Sequence, residues 1–234
     1  LGLSFFITTP VYASCPSSLP LNTFKNCVKS ELDSLVIALS EAQADIEDLK
    51  TENDGLQAEN DELRSYLTVD TDNNALVFSG ANIYIQSGSG TTSGTVNGFG
   101  NLIVGYDEDD GGDDKTGSHN LVIGQHHTYT SYGGLIAGED NHIEGTYASV
   151  TGGSENEAIR SYSSISGGRG NVADGEWAVV AGGYENTAGD SDDGSRYGAI
   201  LGGHGNVTRS WYATVSGGYA NQAYGESSSA CGGY

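Results

Sequence analysis

The stretch Tyr147-Ala148-Ser149-Val150-Thr151-Gly152-Gly153 opens a 15-residue unit that repeats towards the end of the chain. The glycine pairs that mark the unit begin at Gly152, Gly167, Gly182, Gly202, Gly217 and Gly232. Their spacing is constant except for one longer step, from Gly182 to Gly202, so one unit recurs with a single five-residue insertion. A period this short leaves no room for a helix and a strand, so each unit is predicted to form two short strands and two turns.

Two side-chain columns keep the same phase. An aromatic residue opens each unit at Tyr147, Tyr162, Trp177, Tyr197 and Tyr212, and an asparagine closes the glycine turn at Asn156, Asn171, Asn186, Asn206 and Asn221. This pattern predicts a mainly β protein, a parallel β-solenoid whose 15-residue units stack as rungs about 4.8 Å apart. An asparagine at the same corner of every rung can bond to the rungs above and below. We therefore interpret the asparagine column as a structural ladder rather than a ligand site.

Upstream segments carry a weaker form of the repeat. Residues 147–234 hold the regular units, and 101–146 hold degenerate ones, such as Asn101-Leu102-Ile103-Val104-Gly105, together with an acidic loop. Residues 69–100 are predicted to form a β transition or neck. Each rung offers one Val or Ile, one small residue and one aromatic residue, which is a thin core for a single chain. Burial between chains is expected to complete it.

A seven-residue repeat precedes the β units, between residues 28 and 68. Its apolar seam occupies only two positions in seven, which is typical of a coiled coil and too narrow for a helix on a globular core. The seam residues expected to mediate oligomerisation are Leu32, Leu35, Leu39, Ile46, Leu49, Asn53, Leu56, Asn60, Leu63 and Leu67.

The polar residues of this segment indicate how its helices align. Asp45 can pair with Lys50 of a neighbouring parallel helix, and Glu59 can pair with Arg64 in the same way. Asparagines in the seam cost stability but penalise slipped registers, since an amide facing Leu loses its partner. A parallel homotrimer is expected, with a dimer as the alternative because of these asparagines.

Composition restricts the partners. The chain has 36 glycines, no methionine, nine Lys plus Arg residues and a formal net charge of -22. Such a charge repels phosphate backbones and anionic lipid surfaces, so no nucleic-acid partner is expected. No stretch after the N-terminal segment approaches 18 consecutive apolar residues, so no membrane insertion is expected there.

The N-terminal residues indicate export. Residues 1–13 combine an apolar run with small residues at Val11 and Ala13, which is typical of a truncated signal peptide cleaved before Ser14. The predicted location is therefore secreted, extracellular or on a cell surface. In the segment 14–27, an oxidising compartment permits a disulfide between Cys15 and Cys27. Cys231 stands where sibling units carry serine and is expected to be only a small-residue substitute.

The regular unit resembles the head repeats of trimeric autotransporter adhesins of the YadA type. The resemblance rests on Tyr147 to Gly153 followed by Asn156 and Ala158, covers residues 101–234, and agrees with the heptad segment. It implies a left-handed parallel β-roll within a trimer, joined to a coiled-coil stalk, and heads that bind matrix proteins or other surfaces. The form here departs from the family's commoner Ala-Ile-Gly motif, and the stalk precedes the body.

Motifs of enzymes are not found. The sequence contains no Gly-x-Ser-x-Gly elbow, no Walker loop and no His-Glu-x-x-His, and no catalytic residue or cofactor is expected. Clustered carboxylates give candidates for a hard cation such as calcium at Asp107, Asp109, Asp110, Asp190, Asp192 and Asp193. The twelfth position from Asp107 is Ser118, so the EF-hand spacing fails, and solvated loops are the alternative. We expect His119, His126 and His127 to lie on the surface.

These features together predict a non-catalytic surface fibre that attaches through a repetitive, multivalent, adhesin-like face. The expected partners are further copies of the chain and a surface ligand such as a matrix protein or glycan. The alternative is a phage or secreted fibre whose solenoid binds or degrades polysaccharide, although degradation would need paired carboxylates facing one groove. The aromatic column is either a glycan-stacking stripe or, as we favour, a set of strand aromatics packed on neighbouring rungs.

Overall fold

The computed structural model describes residues 15–190 and 196–233. These residues form two compact units, one reaching to Asn82 and the other beginning at Ile83. The predicted signal peptide at 1–13 lies outside the described residues, and so do Asp192 and Asp193.

The first unit consists of a long helix and a hairpin. Helix α1 runs from Leu21 to Tyr66 and buries none of its residues. The helix therefore begins before the heptad segment and directly after Pro20. Proline is tolerated at the start of a helix but not in its interior. A disulfide joins Cys15 to Cys27 and so links the preceding segment to the second turn of the helix.

The hairpin follows the helix directly. Strand β1 (Leu67–Asp70) pairs antiparallel with β2 (Ala75–Phe78). The Asp70 carboxylate accepts hydrogen bonds at 3.1 Å from the backbone amides of Asp72 and Asn73, which closes the turn. These bonds hold the pKa of Asp70 below its usual range, with the Asn73 side chain as the largest contributor.

The second unit is a parallel β-solenoid built from two sheets. The first sheet contains nine strands: β3 (Leu102–Val104), β4 (Leu121–Gln125), β6 (Leu135–Glu139), β8 (Ser149–Val150), β10 (Ser164–Ile165), β12 (Val179–Val180), β14 (Ala199–Ile200), β16 (Thr214–Val215) and β18 (Ser229–Ala230). The second contains seven: β5 (Thr128–Tyr129), β7 (His142–Ile143), β9 (Glu157–Ala158), β11 (Val172–Ala173), β13 (Thr187–Ala188), β15 (Val207–Thr208) and β17 (Gln222–Ala223). From β4 onward, successive strands along the chain alternate between the sheets, so each pair forms one rung.

The register confirms the 15-residue rung. Ile165 pairs with Val180, one period later in the next rung, and Val180 pairs with Ile200, although the insertion lies between them. The five-residue insertion therefore leaves the strand pairing unchanged. The predicted fold class, a parallel β-solenoid of 15-residue turns preceded by an N-terminal helix, is confirmed; its left-handed turn and its trimeric state stay predictions.

The core lies between the two sheets within one chain. The first sheet contributes branched aliphatic side chains, and from β9 onward the second contributes small ones, so each of these later rungs pairs a large residue with a small one. The buried residues of the first sheet are Val122, Ile136, Val150, Ile165, Val180, Ile200 and Val215, and those of the second are Tyr129, Ile143, Ala158, Ala173, Ala188, Thr208 and Ala223. Burying one Val or Ile contributes about 1.5–3 kcal/mol. A single chain thus buries its core residues more completely than the sequence predicted.

In the pairs that begin at Gly152, Gly167, Gly182, Gly202 and Gly217, the second glycine is required by backbone contact. At Gly168, φ is +89°, and an added Cβ would lie 2.2 Å from the carbonyl oxygen of Gly183 in the next rung. At Gly167 an added Cβ would meet only one atom, at 4.0 Å. Within this pair, only the second glycine lies against the backbone of the next rung, and its left-handed backbone also favours glycine.

Within the described residues, no helix is both long and apolar enough to cross a membrane.

Candidate functional site

The asparagine column forms a continuous hydrogen-bonded ladder at the corner that precedes the second sheet. In Asn171 the side-chain amide donates at 3.1 Å to the side-chain oxygen of Asn156, and the backbone amide donates to the same oxygen at 3.1 Å. The side-chain amide also reaches the carbonyls of Gly167 at 3.1 Å and Gly183 at 3.0 Å. Asn186, Asn206 and Asn221 repeat these contacts.

The ladder residues have no capacity left for a ligand. Asn156, Asn171, Asn186 and Asn206 are fully buried. Each side-chain oxygen of Asn156 to Asn206 accepts two hydrogen bonds, which matches its two lone pairs. The geometry therefore supports a structural role, and Asn221 at the end of the column is partly exposed because fewer atoms cover it.

Asn141 continues this column one rung upstream of Asn156, and a histidine occupies it one rung before Asn141. His127 is fully buried, and its Nδ1 accepts a hydrogen bond from the backbone amide of Asn141 at 3.2 Å. An amide can only donate, so Nδ1 carries no proton, and Nε2 donates to the Ile123 carbonyl at 3.1 Å. The imidazole thus reproduces the acceptor and donor of an asparagine side chain. The prediction that His127 lies on the surface was wrong. The sequence did not show that His127 belongs to the asparagine column, because its spacing to Asn141 is shorter than the 15-residue period and the residue type differs.

A second, shorter ladder lies at the corner before the first sheet. The Asn101 side-chain oxygen accepts from the Asn120 backbone amide at 2.9 Å, and the Asn120 oxygen accepts from Gly134 at 2.8 Å. Gly134 has no side chain to continue the series, and Ala148 follows in the same position of the next rung. Sequence reasoning missed this ladder, although both residues stand directly before an apolar strand.

The aromatic column lies in turns rather than in strands. The rings of Tyr162 and Trp177 are 5.6 Å apart and nearly parallel, and those of Trp177 and Tyr197 are 5.0 Å apart at 6°. Tyr147 and Tyr212 extend the stack at either end. All five residues have positive φ, between 58° and 61°, which is unfavourable for non-glycine residues. The expected packing on neighbouring rungs is present, but at a corner.

Stacking determines which part of these rings is accessible. Since each ring covers the face of its neighbour, the column presents ring edges to solvent. Carbohydrate stacking uses the face of an aromatic ring. The geometry therefore argues against the column as a glycan-stacking stripe and for a role in holding the rungs together.

An outward column follows the glycine pairs. Ser154, Arg169, Tyr184, His204 and Tyr219 are joined in order by parallel bridges of the backbone. Their side chains vary and most are exposed. The Arg169 guanidinium lies 2.7 Å from the Glu155 carboxylate, and the rings of Tyr184 and His204 are 4.9 Å apart. This outward column is the chemically diverse face of the solenoid.

The acidic loop between β3 and β4 is held to the solenoid by a buried carboxylate. Asp107 accepts a hydrogen bond from the Tyr129 hydroxyl at 2.9 Å and lies 3.3 Å from the Lys115 ammonium. Lys115 also donates to the carbonyls of Asp107 and Glu108. Burial, followed by the hydrogen bond to Asp107, raises the pKa of Tyr129 well above its ordinary value. Asp107 thus has protein partners in place of a cation.

The other cation candidates are separated. Asp109 and Asp110 are exposed in the same loop, and the Asp109 carboxylate accepts from the Gly111 amide at 2.7 Å, which lowers its pKa. Asp190 lies 3.6 Å from Arg209, far along the chain in the insertion. The structure instead brings together Asp110, Asp113 and His126, whose ligand atoms all lie within 4.8 Å of one another. Sequence reasoning named Asp110 but not this group.

The heptad seam of α1 is exposed along its length. Leu35 and Leu49 each have 51% of their surface exposed, and Leu32 and Leu39 have about 60%. The charged residues of the helix pair only locally within the described chain, as Lys50 does with Glu47 at 3.2 Å. One chain therefore leaves its apolar seam without a partner.

Comparisons with known proteins find no match to this chain among protein-family models, curated proteins or solved structures.

Proposed function

We propose that this chain is a non-catalytic, adhesin-like protein of the extracellular surface, which assembles as a homotrimeric fibre and attaches through its solenoid. The observation that carries the proposal is the unpartnered heptad seam of the 46-residue helix α1, none of whose residues is buried. Helices in water gain most of their stability from packing an apolar face. Further copies of the same seam supply that packing in register.

The solenoid supports the second half of the proposal. Its asparagine and aromatic columns are occupied by contacts between rungs, whereas the outward column of Ser154, Arg169, Tyr184, His204 and Tyr219 changes its side chain from rung to rung. Repeated shallow contacts of this kind give weak binding in one copy. Linking three copies can raise overall binding by about 10²–10⁴ without a deep pocket. The YadA-type resemblance of the repeats agrees with this function.

The ligand class follows from the outward column. Tyrosine, histidine and arginine side chains combine apolar area with hydrogen-bond donors, which suits a matrix protein or a glycan. A phage or secreted fibre that binds polysaccharide is the alternative, and the same column would serve it. A fibre that also hydrolyses the polysaccharide is the less favoured version of that alternative.

The test measures attachment with and without assembly. The full chain is applied to immobilised extracellular-matrix proteins and glycans, beside a Leu49→Asp variant that places charge in the seam and an Ile37→Asp variant outside it. We expect one surface to retain the parent and Ile37→Asp, and to retain Leu49→Asp at least about 10-fold less. Equal retention of all three would contradict multivalent attachment.

The ligand-binding face is tested separately. A Tyr184→Ala/Tyr219→Ala variant removes two outward rings without touching the asparagine ladder. We expect it to fold and assemble as the parent does but to lose attachment. Release of shortened glycans by the parent chain would instead show that the protein is an enzyme.

A further inference from the structure

We propose that Asp110, Asp113 and His126 form a binding site for a divalent transition-metal ion, of which Zn²⁺ is the expected occupant. The three residues come from two parts of the chain. Asp110 and Asp113 lie in the acidic loop after β3, and His126 lies in the turn directly after β4, where its backbone has a φ of +56°. Their ligand atoms all lie within 4.8 Å of one another.

The loop is held in place at the site without a metal ion. The backbone amide of His126 donates to the carbonyl of Glu108 at 2.9 Å, so the loop passes directly over the turn. Lys115 holds the loop from its other end through the carbonyls of Asp107 and Glu108. Backbone hydrogen bonds and Lys115 therefore bring the three ligand residues together without metal coordination.

Unsatisfied polar atoms point to a ligand. The Asp113 side chain is only 7% exposed, yet its Oδ2 atom receives no hydrogen bond from the described residues. The nearest cation, the Lys115 ammonium, is 3.7 Å away and donates instead to backbone carbonyls. The Nδ1 atom of His126 is also buried and has no hydrogen-bond partner among the described residues. Buried polar atoms without partners are costly, and a metal ion would satisfy both.

The surroundings favour a cation. The open depression beside the site is lined by His126, Asp110, Glu139, Asp140, Glu155 and Arg169. Most of these side chains are carboxylates, and Asp113 adds another from the adjoining surface. Burial raises the pKa of Asp113, while the positive charge of Lys115 opposes this rise. A bound cation would stabilise the ionised carboxylate.

The ligand types select the ion. Calcium uses six to eight oxygen ligands, whereas zinc binds imidazole nitrogen and carboxylate oxygen in sets of three or four. Two carboxylates, one imidazole and a water molecule complete a tetrahedral zinc site. The ion would fasten the acidic loop to the first rungs of the solenoid and reduce repulsion among its carboxylates.

The test is titration of Zn²⁺ into the full chain by calorimetry. A Cys231→Ser background removes the exposed free thiol, which can itself bind zinc. His126→Asn and Asp110→Asn each remove one ligand, and His204→Asn is the control, since the His204 imidazole lies 3.5 Å from the Glu185 carboxylate and is not one of the three ligands. Circular dichroism verifies that each variant folds.

We expect one Zn²⁺ per chain, binding at least about 10-fold weaker in His126→Asn and Asp110→Asn, and unchanged binding in His204→Asn. Bound Zn²⁺ should also protect the loop against limited proteolysis in the parent and not in His126→Asn. Failure of the parent to bind, equal binding by His126→Asn, or displacement of Zn²⁺ by an equal concentration of Ca²⁺ would overturn the proposal.

Discussion

The side-chain oxygen of Asn171 accepts two hydrogen bonds from Asn186 in the next rung, one from its backbone amide at 3.1 Å and one from its side-chain amide at 3.0 Å. Asn186 in turn accepts both amides of Asn206. Each asparagine is thereby fixed by the rung before it and fixes the rung after it. The ladder explains how rungs with such short strands keep one register.

Replacement of Asn186 by alanine should destabilise the solenoid. The Gly182 carbonyl would lose a donor and the Asn206 backbone amide would lose its acceptor, whereas the Gly203 carbonyl and the Asn171 side-chain oxygen would each keep one other hydrogen bond. The expected cost is about 1–3 kcal/mol for each buried group left without a partner. Thermal unfolding should show a melting temperature lowered by several degrees, with attachment intact in folded material. If Asn186→Ala melts like the parent but no longer attaches, the column belongs to the binding face.

The glycine pair offers a matched test of backbone packing. Gly168→Ala places a methyl group 2.2 Å from the Gly183 carbonyl oxygen at a φ of +89°, whereas the methyl group of Gly167→Ala meets only one atom, at 4.0 Å. We expect Gly168→Ala to lose at least about 2 kcal/mol of stability, from strain and displaced backbone, and Gly167→Ala to lose under about 1 kcal/mol. Urea unfolding of both variants measures this difference. Equal losses would show that the rungs do not approach as closely as the structure indicates.

Removal of Lys115 should release the acidic loop. The Asp107 side chain is 4% exposed, and Lys115→Ala would leave its charge with only the Tyr129 hydroxyl as a partner. Breaking a buried pair costs about 3–5 kcal/mol. Arg169→Ala is the control, because its pair with Glu155 is exposed and solvent screens such pairs, so its loss should change stability little. Limited proteolysis should cut the loop faster in Lys115→Ala only; equal cutting of both variants would refute the pairing.

Asp113 should destabilise the metal-free protein at neutral pH. Burial raises its pKa in the folded state, so the folded chain loses stability as pH rises through that pKa. In the presence of a chelator, Asp113→Asn should therefore melt above the parent at pH 7. The difference should vanish in acid, below the ordinary aspartate pKa of about 4, where both side chains are neutral. An Asp113→Asn variant that melts below the parent at pH 7 would contradict this account of the site.

The repeat was readable from the sequence because the fold reuses one environment in every rung. Repetition of one rung explains the constant period, the buried Val or Ile and the asparagine at the corner. The structure has these features at the predicted positions. The same argument failed at His127, because an imidazole reproduces the two hydrogen bonds of an amide. Residue type then changes while the environment does not.

Contacts outside the repeat could not be predicted. Asp113 and His126 lie on opposite sides of strand β4 in the sequence, and they meet because the loop after β3 folds back over the next rung. The spacing of residues within the loop does not predict that it folds back over the next rung. Likewise, Asp107 is buried by Lys115, although both belong to a stretch whose composition indicates a solvated loop.

The heptad seam gives the most direct test of the central claim, that the chain functions as a trimer. Leu49→Asp places a charge in the seam, where burial without a partner costs several kcal/mol. Ile37→Asp makes a similar change at a position outside the seam and serves as the control. Sedimentation equilibrium of the full chain should give three times the chain mass for the parent and for Ile37→Asp, and one chain mass for soluble Leu49→Asp. A monomeric parent at micromolar concentration would contradict the account.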